Sequence, residues 1–260
     1  MKKILLMYFS GAGATKKVAE IIYEHIKHRV IIEMHEFENV ENISLQQYDA
    51  FIFGTPVYHG SPCDKAMRYI ESLSPLLERK PAYIYNTKGM CQCNTNRIWA
   101  KSMKQKNIFV LADNSYKTPA SDGVLIIPFV KSLFSFEKGL EEKIIVDCKK
   151  FLECLEQKNW QGYIPSFQLS SILNAPNKMI GKRITFQIYL HKSKCVKCEK
   201  CIRRCPYNIL EKDKEGYPIF IKVNKKNGNR CENCYRCIHH CPSLALSLNR
   251  RKPIKKTLTY

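Results

Sequence analysis

The chain has 260 residues, 45% of them hydrophobic, which suits a folded core and excludes a disordered or fibrous chain. Its longest apolar run, residues 123–130, is far short of the roughly 20 residues a membrane-crossing helix needs. The formal charge of +20 is uneven: residues 1–160 hold 22 basic and 18 acidic side chains, net +4, and residues 161–260 hold 21 and 5, net +16.

In chain order, Met1-Lys2-Lys3 and the apolar residues 4–9 have the outline of a short signal peptide. A charged amphipathic helix follows at once, however, so a strand buried on both faces is the better reading. Over 15–28, Val18, Ala19, Ile21, Ile22 and Ile26 recur at helical spacing with charges opposite. Strands are predicted at 30–37, 50–54 and 81–86, and helices at 62–72 and 94–106. Residues 108–112 and 124–127 read as short strands, or one interrupted strand. A helix over 136–158 closes this half, with Cys148 in its apolar stripe and hence a packing residue. Strands alternating with helices predict an α/β fold, a doubly wound parallel sheet whose ligand lies beyond the carboxyl ends of the strands.

The loop after the first strand is Ser10-Gly11-Ala12-Gly13-Ala14-Thr15. Glycines, hydroxyls and first-turn N–H groups suit a phosphate, although the loop reads equally as a tight strand–helix connection. It is no dinucleotide fingerprint, since Lys16 stands where the third glycine belongs, and no Walker A loop. The run from Tyr8 to Thr15 resembles the flavodoxin phosphate loop S-x-T-G-x-T, with Ala12 in place of its threonine and Ala14 in place of a frequent asparagine. The resemblance implies that Ser10, Gly11, Ala12, Gly13, Ala14 and Thr15 hold the terminal phosphate of FMN. Thr55-Pro56-Val57-Tyr58-His59 resembles the family's loop on one face of the isoalloxazine, with Tyr58 as the stacking residue and His59 near the ring or at the surface. Thr87-Lys88-Gly89 corresponds to the second ring loop, where Lys88 or nearby N–H groups stabilise a reduced anionic flavin. Cys91 and Cys93 follow directly, but C-x-C is not the C-x-x-C redox spacing, so a redox role is the lesser reading.

Beyond residue 190 the signal sharpens. Cys195, Cys198, Cys201 and Cys205-Pro206 are repeated 36 residues later as Cys231, Cys234, Cys237 and Cys241-Pro242. In such C-x2-C-x2-C-x3-C-P runs three thiolates hold one iron–sulfur cluster and the fourth reaches the other. Cluster one then takes Cys195, Cys198, Cys201 and Cys241, and cluster two takes Cys231, Cys234, Cys237 and Cys205. Zinc fits poorly, because zinc sites pair two C-x2-C units across a spacer. Residues 191–249 resemble the two-[4Fe-4S] bacterial ferredoxins, a small α+β domain, with a lengthened hairpin between the repeats. Residues 159–190 are too apolar for a free linker and are expected to pack at the interface between 1–158 and 191–249; residues 250–260 form a basic tail.

The whole chain thus resembles the flavodoxin–ferredoxin fusion proteins of anaerobic microbes. That implies single-electron relay between two [4Fe-4S] clusters and FMN, with no catalytic side chain of its own, in a reducing cytoplasm. The alternative is a flavin-dependent reductase of a quinone or nitro compound fed by its own clusters. Charge points to an acidic redox protein as partner, a ferredoxin, flavodoxin or reductase, steered by Lys194, Lys197, Lys200, Arg203, Arg204, Arg230 and Arg236. A nucleic-acid or membrane surface is the lesser reading of the same basic face.

Overall fold

The computed structural model describes residues 1–40, 43–121, 123–126, 135–157, 159–174, 187–221, 231–255 and 257–258. Strands β1 (Lys3–Tyr8), β2 (Ile31–Glu36), β3 (Ala50–Tyr58), β5 (Lys80–Lys88) and β6 (Ile108–Lys117) make a parallel sheet in the order β2-β1-β3-β5-β6, to which the short β4 (Ser61–Pro62) adds by pairing with β3. The continuous apolar run of β1 follows from coverage on both sides. Leu5, Met7 and Phe9 enter one core with Phe51, Phe53 and Ile84, and Ile4, Leu6 and Tyr8 enter the other with Ile52, Tyr83 and Tyr85. Helices α1 (Ala14–Ile26) and α5 (Leu140–Glu156) supply Val18, Ile22, Ile144, Cys148 and Phe151 to the second core. Helices α2 (Asp64–Ser72) and α3 (Thr95–Lys104) supply Ile70, Trp99 and Met103 to the first. The sheet is the doubly wound one expected.

Two sheet expectations are corrected. The strand predicted to stop near Gly54 and Pro56 runs on to Tyr58, because β1 pairs with β3 only as far as Tyr8 opposite Gly54. Pro56 therefore lacks an N–H on a side where the ladder has already ended. Residues 124–127, read as a strand, begin instead in a helix, α4 (Gly123–Ile126), and β6 is one uninterrupted strand. Pro119 follows its end and cannot continue the ladder, and Leu125 packs against the carboxyl-terminal core instead.

In the carboxyl-terminal half, β7 (Tyr189–Leu190) pairs antiparallel with β10 (Leu246–Ser247), and β8 (Leu210–Lys212) with β9 (Pro218–Phe220). The β8–β9 pair is the expected hairpin, closed by Gly216 N donating to Asp213 O at 3.0 Å; its second turn, at 227–228, lies outside the described residues. Short helices α7 (Lys200–Arg203) and α8 (Arg236–His239) sit at equivalent places in the repeat. The sequence period is also a backbone period: Lys197, Glu199 and Asn208 take left-handed φ of 54°, 57° and 49°, and Asn233, Tyr235 and Leu244 repeat them at 57°, 54° and 54°. Alternating handedness curls a chain around a centre and turns its N–H groups inward.

The two halves share a core. Tyr207, Ile209 and Cys234 are buried in the cluster that holds Phe9, Phe37, Phe53 and Cys63. The connecting stretch meets the packing expectation in part: Trp160 packs on Phe109 and Ile188 is buried in the carboxyl-terminal core. Its first part covers the β6 edge, with Tyr163 N donating to Val110 O at 2.9 Å and Gly162 against Phe109. Leu169, Ile172 and Leu173, expected to pack, are 74%, 61% and 86% exposed, at the start of and along the short helix α6 (Ser170–Leu173). Met179, Ile180, Ile184 and Phe186 lie outside the described residues.

Candidate cofactor sites

Parallel strands end together, so the loops after β1, β3 and β5 meet at one edge of the sheet. In the first, Gly13 adopts φ +101°, and Ser10 Oγ accepts hydrogen bonds from Gly13 N at 3.1 Å and Lys16 N at 3.2 Å. This fixes the turn into α1. The N–H groups of Gly11 and Ala12 have no partner among the described residues. Thr15 Oγ1 lies 2.7 Å from Thr87 Oγ1, joining this loop to the one after β5, and Tyr85 Oη donates to Thr15 O at 3.2 Å.

After β3, Thr55 Oγ1 accepts from Cys63 N at 3.0 Å and donates to Pro56 O at 3.1 Å, which ties the loop to the start of α2. Val57 and Tyr58 pair with Pro62 and Ser61, so His59 and Gly60 are the two turn residues of a hairpin. Their φ of +50° and +71° give that turn the double left-handed form favoured in tight hairpins, which accounts for His59 as a turn former. Tyr58 packs edge-on to Phe9 at 6.4 Å. A Cβ on Gly11 would lie 2.5 Å from both Tyr58 Oη and the carbonyl oxygen of Cys234. After β5, Lys88 O accepts from Thr118 N at 2.9 Å, and Gly89 abuts Ala120. All three predicted loops therefore touch. Unpartnered backbone donors in a glycine turn, with hydroxyls of Ser10, Thr15 and Thr87 around it, fit a phosphate monoester.

The eight repeated cysteines fall into two groups. Cys195, Cys198, Cys201 and Cys241 line one apolar cavity. Cys205 lies close enough to Cys231 and Cys237 to raise their thiol pKa by charge, after the larger effect of burial, and Cys234 does the same to Cys237. No three His, Cys, Asp or Glu side chains among the described residues converge as a single metal ion requires. Thiols spread around a cavity fit a polynuclear cluster.

The second cysteine run is seated on the first loop. Arg236, between Tyr235 and Cys237, donates from Nη2 and Nε to Ser10 O at 2.7 and 3.2 Å, and from Nη1 to Glu38 Oε2 at 2.6 Å. Its guanidinium lies over the Phe9 ring at 4.9 Å. Glu232 accepts from Asp64 N at 2.6 Å and from the hydroxyl of Tyr207. Arg236 was expected among the partner-steering cations; with its side chain only 8% exposed and ion-paired to Glu36 and Glu38, it is a buried inter-half strut instead. Nothing in the sequence marked it or Glu38, since a cation between cysteines reads as surface charge until its partner 198 residues away is known. Of the remaining steering residues, Lys194, Lys197, Lys200, Arg203 and Arg204 are exposed, and Arg230 lies outside the described residues.

Comparison with known proteins matches residues 5–119 to the flavodoxin domain and residues 180–245 to the 4Fe-4S dicluster domain. The chain is 32% identical over 80 residues to pyruvate synthase subunit PorD of Pyrococcus horikoshii, covering 31% of this chain and 72% of that one. It is also 32% identical over 88 residues to a flavodoxin of Clostridium saccharobutylicum, covering 33% of this chain and 55% of that one. Among solved structures, the flavodoxin of Streptococcus pneumonia TIGR4 aligns with a TM-score of 0.45 at 13% identity, over 58% of this chain and 98% of that one. No described helix is long and apolar enough to cross a membrane.

Proposed function

We propose, from the premise that this chain belongs to the flavodoxin–ferredoxin fusion proteins and so is an electron-transfer flavo-iron-sulfur protein carrying FMN and [4Fe-4S] clusters, that it relays single electrons between two clusters and the flavin and exchanges them with an acidic redox protein. Bound FMN supplies an acceptor of one or two electrons, and each cluster handles one at a time. The chain's own task is positioning. In this reading Cys195, Cys198, Cys201 and Cys241 hold cluster one, and Cys231, Cys234, Cys237 and Cys205 hold cluster two. The loop of residues 10–15 binds the phosphate, and Tyr58 and the loop at Thr87–Lys88–Gly89 flank the ring. Functional halves 1–158 and 191–249 are joined by 159–190, and 250–260 extends the basic face.

The observation that carries the relay is the seating of the Cys231–Cys237 run on the phosphate loop through Arg236 and Cys234. It supports a reading in which cluster two is the nearer to the flavin and cluster one the outer, since Lys194, Lys197, Lys200 and Arg203 around the first cysteine run are exposed. The relative named as a pyruvate synthase subunit supports a redox enzyme as partner. The test is anaerobic purification followed by stopped-flow reduction with an acidic ferredoxin. About eight irons and one flavin per chain are expected, with cluster bleaching ahead of flavin bleaching and a bimolecular rate that falls steeply with salt. Flavin reduced ahead of the clusters would overturn the relay, and a rate indifferent to salt would overturn the acidic partner.

A further inference from the structure

The loop after β5 carries two cysteines that the relay leaves unused. Cys91 Sγ and Cys93 Sγ lie 3.1 Å apart, and Cys93 N donates to Cys91 Sγ at 3.2 Å. In extended backbone, residues two apart stand about 7 Å from each other. The gap is closed here because Cys93 takes φ +48°, a left-handed conformation uncommon for a residue with a side chain. The pair sits against the tip of the His59–Gly60 turn: a Cβ on Gly60 would approach Cys93 Sγ to 3.1 Å. It therefore stands where the two loops read as ring-binding meet. From outside, Asn174 Nδ2 donates to Cys93 Sγ at 3.1 Å.

The two thiols are not equivalent. Cys91 is half-exposed and Cys93 only 3% exposed. Burial opposes ionisation of Cys91, yet hydrogen bonds from Ser170, the Cys93 thiol and the Cys93 N–H, with the charge of Lys88, hold it below the ordinary thiol range. Burial and the neighbouring Cys91 push Cys93 up. An accessible, easily ionised thiol beside a buried, protonated one is the division of labour that thiol–disulfide exchange requires.

We propose that Cys91 and Cys93 are a redox-active dithiol–disulfide couple that takes electron pairs from the reduced flavin and delivers them to an external disulfide. Its electron supply rests on the flavin reading above. In the first half-cycle the Cys91–Cys93 bond breaks, taking two electrons from the flavin and two protons to give two thiols. In the second, the Cys91 thiolate attacks an external disulfide RS–SR, forming a mixed disulfide and expelling one RS⁻. Cys93 then loses its proton and attacks Cys91 sulfur, expelling the second RS⁻ and restoring the internal bond. The sum is RS–SR plus two electrons and two protons giving two RSH.

The test uses anaerobic holoprotein equilibrated in thiol–disulfide buffers, acid-quenched, alkylated and digested with trypsin. Cleavage after Lys88 and Arg97 releases residues 89–97, which contain both thiols and no proposed cluster ligand. This peptide should shift reversibly between a doubly alkylated form and an internal disulfide, and should become dithiol when the bound flavin is reduced. With oxidised glutathione as the probe, Cys93→Ser should retain a glutathione adduct on Cys91, formed about tenfold faster than any adduct on Cys93 in Cys91→Ser. A peptide that alkylates fully in every buffer, or equal adducts on the two variants, would overturn the couple. Flavin absorbance of the same samples separates the premises: a pair that cycles in buffer but ignores flavin reduction overturns the electron route alone, and flavin-free protein overturns that route together with the flavin reading.

Discussion

Arg236 shows how much one buried side chain decides. Its guanidinium serves the Ser10 carbonyl, the Glu38 carboxylate and the Phe9 ring at once, a geometry only a planar fork can span. Glu38 is itself largely buried, and burial lifts its carboxyl pKa even against the pull of Arg236. Truncating the arginine would leave that carboxylate and the Ser10 oxygen without their partner, whereas the intact pair adds little beyond an apolar substitute. Arg236→Ala is therefore expected to lower stability by about 3 kcal/mol in anaerobic denaturant titration of the holoprotein. Arg236→Lys should recover part of this, because a point charge reaches one acceptor well but not three. An unchanged midpoint in Arg236→Ala would mean that the halves are held elsewhere. The same truncation should slow flavin reduction through the clusters without changing flavin content.

At the scale of elements, the approach of the cluster run to the phosphate loop leaves no room for a methyl group. A Cβ at Gly11 would lie 2.5 Å from a backbone carbonyl of the cluster-binding loop, which cannot swing aside as a side-chain tip would. Gly11→Ala is expected to cost about 1–3 kcal/mol by overpacking and to detach flavin reduction from cluster reduction, read by stopped-flow absorbance. Helix α5 makes a separate prediction. Cys148 sits at 1% exposure in its apolar stripe, and burial, followed by the charge of Asp147, pushes its thiol up to about 12. The unfolded thiol loses its proton near 8.5, so between these values the folded state binds the extra proton and stability falls as pH rises. Cys148→Ala should flatten that alkaline slope by up to about 1.4 kcal/mol per pH unit in denaturant titrations between pH 9 and 11. These elements were largely legible in the sequence, since α5 announced its stripe by 3.6-residue spacing and β1 its double burial by an unbroken apolar run. What escaped was set by neighbours far along the chain. The extension of β3 depends on where β1 ends, and the helical turn at Gly123–Ile126 depends on a core formed beyond residue 188.

Across the whole molecule, two halves that differ in charge and cysteine content nonetheless share buried side chains. The change in composition near residue 160 was visible in the sequence, but the common core was not, because Tyr207, Ile209 and Cys234 meet Phe9 and Cys63 only once both halves are folded. Glu232 ties the same surfaces together through Asp64 N, and Lys65 Nζ stands over the Tyr207 ring at 5.5 Å. Metal ligation can fold a small cysteine-rich domain outright, so its binding energy is folding energy for the proposed cluster domain. Through the shared core that energy also reaches the flavin loops, since the Cys231–Cys237 run braces Ser10 and Gly11. Stripping iron from the purified protein with a chelator and an oxidant should therefore lower the temperature at which flavin fluorescence appears on heating, by several degrees for each kcal/mol lost. Independent halves would release flavin at the same temperature with or without iron. If the brace acts through Arg236, Arg236→Ala holoprotein should already release flavin at a lower temperature than the parent, and iron removal should shift it less. Equal shifts in the two proteins would place the coupling in the apolar contacts of Tyr207 and Ile209 instead.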